Sequence, residues 1–192
     1  MNSSKENIRR VKIQKENLTI RSAVSEDAVR LTDWWNDGEV MAHAGFPKGL
    51  GQTVSETLEQ IKENETHLSQ LCILETDGNP VGEIYFRLHG EGIAEIGIKI
   101  CDVKYQDHGN GTKFLKMLLS YLFEEAEWKG EYPVEKICFD TNPANKRACH
   151  VYEKLGFVCT GVHPHSWKDQ LGQWQDSISY EMTYQKYKDG VI

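Results

Sequence analysis

The stretch Lys99-Ile-Cys-Asp-Val-Lys-Tyr-Gln-Asp-His-Gly-Asn-Gly-Thr112 decides how this chain folds. It enters as the end of an apolar segment, Ile93–Cys101, whose Ile93, Ile96, Ile98 and Ile100 predict a strand. A polar turn follows, and two glycines then open a run in which Phe114, Leu115, Leu118, Leu119 and Leu122 recur at helical spacing. That spacing predicts an amphipathic helix over 109–128 packed on a sheet. A strand, a turn and a helix joined through Gly109 and Gly111 make an anion site in physical terms. Free backbone N–H groups at the helix start face outward, and glycines let a ligand approach without a Cβ in the way. The plain alternative is a tight strand-to-helix turn that binds nothing. Two familiar phosphate motifs are excluded: Phe114 stands where a dinucleotide fingerprint needs its third glycine, and the order Gly111-Thr112-Lys113 is not a P-loop.

Working outward, the chain alternates strands and helices. Leu18-Thr-Ile-Arg-Ser-Ala predicts a first strand, and Ser25 caps a helix through about Asn36, with Glu26 and Asp27 at its positive end. Residues 37–52, rich in glycine, read as a loop, and Thr53-x-x-Glu56 is a capping box opening a helix through about Asn64. Strands are expected at Leu71–Thr76 and Val81–Leu88 around the turn Asp77-Gly-Asn-Pro, and at 134–141, 157–162 and 177–184. A helix is expected at 145–155, with Gly156 as its left-handed C-terminal residue. Residues 1–17 read as a mobile or helical arm, 18–185 as one domain and 186–192 as a tail. The fold class is mixed α/β, with about seven mostly antiparallel strands flanked by helices.

Composition narrows the function. The 192 residues hold 22 Lys+Arg against 29 Asp+Glu, a net charge of −7. Removing the arm leaves 17 basic and 27 acidic residues, so the domain itself carries −10. Nucleic-acid affinity comes mainly from Lys and Arg neutralising phosphates, so this chain is not expected to bind nucleic acid, and its charge suits a cationic partner. The 19 aromatic residues argue against disorder. No stretch approaches the roughly 18 apolar residues of a membrane span, and the N-terminus has no apolar core of a secretory signal. The five cysteines, with no C-x-x-C pair, read as reduced thiols of a cytoplasmic protein. His163-Pro-His165 lacks spaced Cys or carboxylate partners and reads as a loop, so no metal is expected. Trp34-Trp35, Trp167 and Trp174 are candidates for lining an acceptor cleft or a homodimer surface.

Gln106-x-x-Gly109-x-Gly111 resembles the Q/R-x-x-G-x-G/A signature of the GNAT superfamily of N-acetyltransferases. Further on, Asn142-Pro-Ala-Asn145-Lys-Arg-Ala-Cys-His-Val-Tyr152-Glu-Lys-Leu-Gly-Phe157 is similar to that superfamily's second motif. The resemblance implies a sheet splayed at the cofactor site, an N-acetyltransferase domain over 18–185, and acetyl-CoA as co-substrate. It implies that Lys99, Ile100 and Cys101 pair with the pantetheine arm as an added strand would. Asp107, His108, Gly109, Asn110, Gly111 and Thr112 would wrap the pyrophosphate, and Asn145 would reach the pantetheine or phosphate end. Asp107 and His108 depart from the family's usual Arg/Lys and Gly, and a carboxylate beside a pyrophosphate is repulsive.

Acetyl transfer to an amine needs a neutral nucleophile and a protonated leaving group. An alkyl amine with pKa of roughly 10.4 pays roughly 4–5 kcal/mol to be neutral at pH 7, an α-amine near 8 about 1.4. The candidate bases are Glu95, mid-strand before the glycine loop, which is the first choice, Asp140 at the end of the next strand, or a relaying water. The matched motif makes Tyr152 the proton donor to the departing thiolate; at 100° per residue it falls within about 20° of the line of Asn145 and Gly156. The chain also resembles two branches, those acting on ribosomal-protein N-termini and the aminoglycoside 6'-N-acetyltransferases. The expected acceptor is a primary amine on a cationic small molecule or peptide. A non-catalytic CoA-binding sensor is the alternative from another class.

Overall fold

Eight strands form one sheet in the order β1-β2-β3-β4-β5-β6-β8-β7 in the computed structural model, which describes residues 10–66, 68–124 and 133–190. They are β1 (Lys12–Lys15), β2 (Leu18–Ser22), β3 (Ser69–Thr76), β4 (Asn79–His89), β5 (Ile93–Ile100), β6 (Lys136–Thr141), β7 (Val158–Lys168) and β8 (Trp174–Thr183). The helices are α1 (Ala28–Asn36), α2 (Gly38–Met41), α3 (Val54–Glu63), α4 (Asn110–Glu124), α5 (Lys146–Lys154) and α6 (Tyr184–Lys188). Every neighbouring pair of strands is antiparallel except β5 with β6.

Alternation along the strands divides the molecule into two cores. Ile84, Phe86, Ala94 and Ile96 face α4, whose Phe114, Leu115, Leu118, Leu119 and Leu122 are all buried, as the periodicity predicts. The opposite face is covered by α1 and α3, where Leu31, Trp35, Ile61, Leu71 and Ile73 form a second, smaller cluster. Local signals hold where the chemistry is local. Thr53 and Glu56 make the reciprocal cap of α3, at 3.3 Å from the Glu56 N–H to Thr53 Oγ1 and 2.7 Å from the Thr53 N–H to Glu56 Oε2. Gly156 takes φ 90° after α5.

The structure differs from the sequence expectation in four places. Lys12–Lys15, read as part of an arm, form the edge strand β1 against β2. Ser25 lies inside a 3-10 turn, Ser25–Asp27, and Asp27 instead holds the helix start by accepting the Val24 N–H at 2.9 Å. The glycine-rich 37–52 stretch contains α2, capped by Asp37, which accepts from the Glu39 N–H at 2.8 Å. The segment 163–176, including His163-Pro-His165, is not a loop but the outer half of a long β7–β8 hairpin. The hairpin tip returns to residues 45–49, where the Gln170 N–H donates to the Gly45 carbonyl at 2.8 Å. Trp167 fills the space a Cβ at Gly45 would need, and Trp174 is 55% exposed. Residues 125–128 of the expected helix lie outside the described residues, as do 1–9 of the arm and 191–192 of the tail.

Candidate active site

The two parallel strands at the centre separate. Pairing runs only through Ile93↔Lys136, Ala94↔Ile137 and Glu95↔Cys138, although β5 continues to Ile100 and β6 to Thr141. Beyond Glu95, β5 therefore has no strand partner on the β6 side, while its other edge stays paired to β4 as far as Gly82↔Ile100. A cavity of about 580 Å³ runs through this gap from one side of the sheet to the other.

One half of the cavity is a glycine cradle. Gly109 (φ 75°), Asn110, Gly111 and Thr112 line it at the start of α4. A Cβ added at Gly109 would meet nothing within 4 Å, and one at Gly111 only Ile100 Cγ1 at 3.8 Å, so both point into open space. The first N–H groups of a helix have no partner within it, and none of the N–H groups of residues 108–112 donates to another described residue. Gln106, the first residue of the glycine signature, ties this loop to the strand end by donating to the Ile100 carbonyl at 2.8 Å. Asn145 lines the cavity while its Oδ1 caps α5, accepting from Ala148 N–H at 3.2 Å. Lys99 and Ile100 also line the cavity; Cys101 and His108 are not among its lining residues.

Tyr152 closes the floor. Its ring sits 4.4 Å from Phe139 and 5.7 Å from Tyr180, centroid to centroid, and the residue is 7% exposed. Among the described residues its hydroxyl has no hydrogen-bond partner, and it lines the cavity. Burial, with a smaller contribution from nearby Cys149, raises the phenol from 10 to about 12. A raised phenol means that the fold holds the neutral form. The stability this contributes is complete below pH 10 and is lost as the pH rises through about 12. Tyr152→Phe removes that dependence. The unfolding free energy of the native chain minus that of the variant should fall by roughly 2–3 kcal/mol between pH 9 and pH 12, read by denaturant titration. A constant difference would show that the phenol is not desolvated.

The other half of the cavity opens toward α2, with Glu39, Val40, His43, Ala44, Tyr85 and Asp140. Glu39 and Asp140 are exposed to it. Lys99 is neutralised from behind by buried Glu83, which accepts from its Nζ at 2.6 Å and from Trp35 Nε1 at 2.9 Å. The structure brings the sequence-expected bases to different positions. Asp140 reaches the cavity directly. Glu95 does not line it, but accepts from the Tyr85 hydroxyl at 3.0 Å and contacts His89 Nε2 at 3.1 Å on its solvent side. Tyr85 presses so closely on Gly97 that a Cβ there would lie 2.2 Å from the Tyr85 ring. Burial, then the charge of Glu95, pushes the Tyr85 phenol up, so it stays neutral.

Two site residues escape a reading of sequence alone. Tyr85 becomes visible only with the strand register, because it is the diagonal neighbour of Glu95 across β4–β5. Arg147 lines the cradle and donates to Asp107 Oδ1 at 3.2 Å and Oδ2 at 3.3 Å, although 40 residues separate the two.

The model of the acetyltransferase (GNAT) domain family matches residues 17–158. Among solved structures, a GNAT-family acetyltransferase from Bacillus anthracis is 24% identical, with TM-score 0.74, over 91% of this chain and 99% of that one. A Vibrio cholerae spermidine N-acetyltransferase, solved with CoA and spermine, is 20% identical, with TM-score 0.77, over 91% and 99%. The ribosomal L7/L12 alpha-N-protein acetyltransferase RimL, in complex with coenzyme A, is 15% identical, with TM-score 0.76, over 90% and 98%. No curated protein matches the chain. With a split parallel pair, a glycine cradle at a helix start and a family model spanning most of its length, the chain belongs to the GNAT acetyltransferase family and is an acetyl-CoA-dependent N-acetyltransferase.

Proposed function

We propose that the acceptor is a primary amine on a cationic small molecule or a peptide N-terminus, acetylated by direct transfer in a ternary complex. The observation that carries this reading is the continuity of one cavity from the glycine cradle to a mouth bearing Glu39 and Asp140. Because Glu83 cancels the charge of Lys99, that mouth is net negative and attracts an ammonium group.

The residues fit acetyl-CoA. The cradle offers unpaired N–H groups to a pyrophosphate, with no Cβ in the way at Gly109 or Gly111, and the unpaired edge of β5 offers backbone groups to a pantetheine amide. Acetyl-CoA supplies the acetyl group as a thioester. The acceptor ammonium must lose a proton first, and Tyr85 with Glu95 can take it. The phenol oxygen accepts from the ammonium while its own hydrogen passes to Glu95, and His89 stands on the solvent side to carry the proton away. Both burial and Glu95 oppose a free tyrosinate, so the two transfers are concerted.

Tyr152 faces the leaving group. A phenol at about 12 lies above an ordinary thiol near 8.5, so complete transfer to the thiolate is uphill by roughly 5 kcal/mol. Its role is a hydrogen bond to the sulfur as negative charge develops. The proton that finally neutralises the thiolate comes from the amine.

The neighbours' acceptors define the experiment. The Vibrio cholerae enzyme was solved with spermine, and RimL is an alpha-N-protein acetyltransferase. The chain should be given acetyl-CoA with a polyamine, an aminoglycoside bearing a free 6'-amine, a peptide with a free α-amine, and a neutral hydrophobic amine, products being read by mass. Polycations should be acetylated at the lowest concentration and the neutral amine least. Preference for the neutral amine would overturn the cationic reading, and selective 6'-acetylation would assign the aminoglycoside branch.

A further inference from the structure

Apart from Lys99, which is paired to Glu83, the charged residues described along the cradle half of the cavity are Arg147 and Asp107, and they are bonded to each other. Arg147 sits in the first turn of α5, and Asp107 in the loop just before Gly109. Their ion pair thus spans from one wall of the cofactor groove to the other. The side chains are 55% and 72% exposed, so the pair is weakly held and can open without unfolding anything.

We infer that this pair is an exchangeable strap over the phosphate site: on binding, Arg147 leaves Asp107 and takes the pyrophosphate of CoA. The inference rests on the acetyl-CoA reading of the cradle. Two partners compete for Arg147. A guanidinium forks equally well onto a carboxylate or a phosphate, and a diphosphate offers it more negative charge than one carboxylate does. Asp107 therefore acts in two ways. It holds Arg147 over the groove in the free protein, and it opposes the pyrophosphate once Arg147 has left. An acidic residue in a phosphate loop becomes tolerable because a cation from another element stands against it. It also makes the affinity for CoA lower than the same cradle would give with a neutral residue there.

Equilibrium binding by calorimetry with CoA, 3'-dephospho-CoA and pantetheine tests this without relying on turnover. Arg147→Ala should weaken CoA about 10-fold, equivalent to about 1.4 kcal/mol, and should weaken 3'-dephospho-CoA by the same factor. Pantetheine, which lacks the pyrophosphate, should be unaffected. Asp107→Asn should shift CoA the opposite way, tightening it several-fold. Asparagine suits the test because it tolerates the left-handed backbone at this position, φ 61°. Arg147→Lys should recover part of the loss. The strap is overturned if Arg147→Ala leaves the CoA affinity unchanged, if pantetheine weakens equally, or if Asp107→Asn weakens CoA. If the native chain binds no CoA at all, the cofactor reading fails instead, which is a separable result.

Discussion

Glu95→Gln should lower kcat/KM for the best acceptor by about 10²–10³-fold, with little change in CoA affinity, because a positioned base typically contributes about 10²–10⁴-fold. The geometry makes a sharper demand than the loss alone. Glu95 does not line the cavity and acts only through the Tyr85 hydroxyl, 3.0 Å away. Tyr85→Phe should therefore cost nearly as much as Glu95→Gln. The double variant should cost no more than either single one, since two members of one chain fail as a unit. Asp140→Asn is the opposing case. Asp140 faces the cavity directly, and in this scheme it contributes attraction for the ammonium rather than proton transfer. Its replacement should raise KM for the amine and change kcat by less than about 5-fold. Steady-state kinetics at saturating acetyl-CoA separates the two. A large loss of kcat in Asp140→Asn with a small one in Glu95→Gln would make Asp140 the base.

Much of this arrangement was written in short-range patterns. The amphipathic repeat of α4, the Thr53–Glu56 cap and the glycine pair at 109 and 111 each depend on neighbours within one or two turns, so the sequence displays them directly. The long β7–β8 hairpin was hidden because β7 is an edge strand. Its outer residues are largely exposed and polar, and alternation has no buried face to mark. The strand β1 was hidden for the same reason, with Lys12, Gln14 and Lys15 all exposed. Helix α2 left a usable trace in Asp37-Gly-Glu, an N-cap followed by an acid in the first turn, but the four glycines of residues 37–52 outweighed it. At the site, residue identity was legible and partnership was not. Asp107 read as a liability for phosphate binding because nothing near it in sequence shows that Arg147 stands against it. Glu95 is legible as a candidate base, but only the register shows Tyr85 between it and the cavity.

The same face of the sheet predicts a large effect on stability. Glu83 is 4% exposed and its carboxylate bonds only to Lys99 and Trp35 among the described residues, so Lys99→Met leaves a buried carboxylate with one neutral donor. Breaking a buried pair from one side typically costs about 3–5 kcal/mol. The lower end applies here, because the Lys99 side chain retains 29% exposure in the native chain and part of the pair's field is screened. The deficit of Lys99→Met against the native chain should be read at pH 7.5 by denaturant unfolding. Adding Glu83→Gln removes the stranded charge while an amide oxygen still accepts from Trp35, so the double variant should recover most of the loss at pH 7.5. A deficit that the second change deepens would mean that the pair acts by packing rather than by charge.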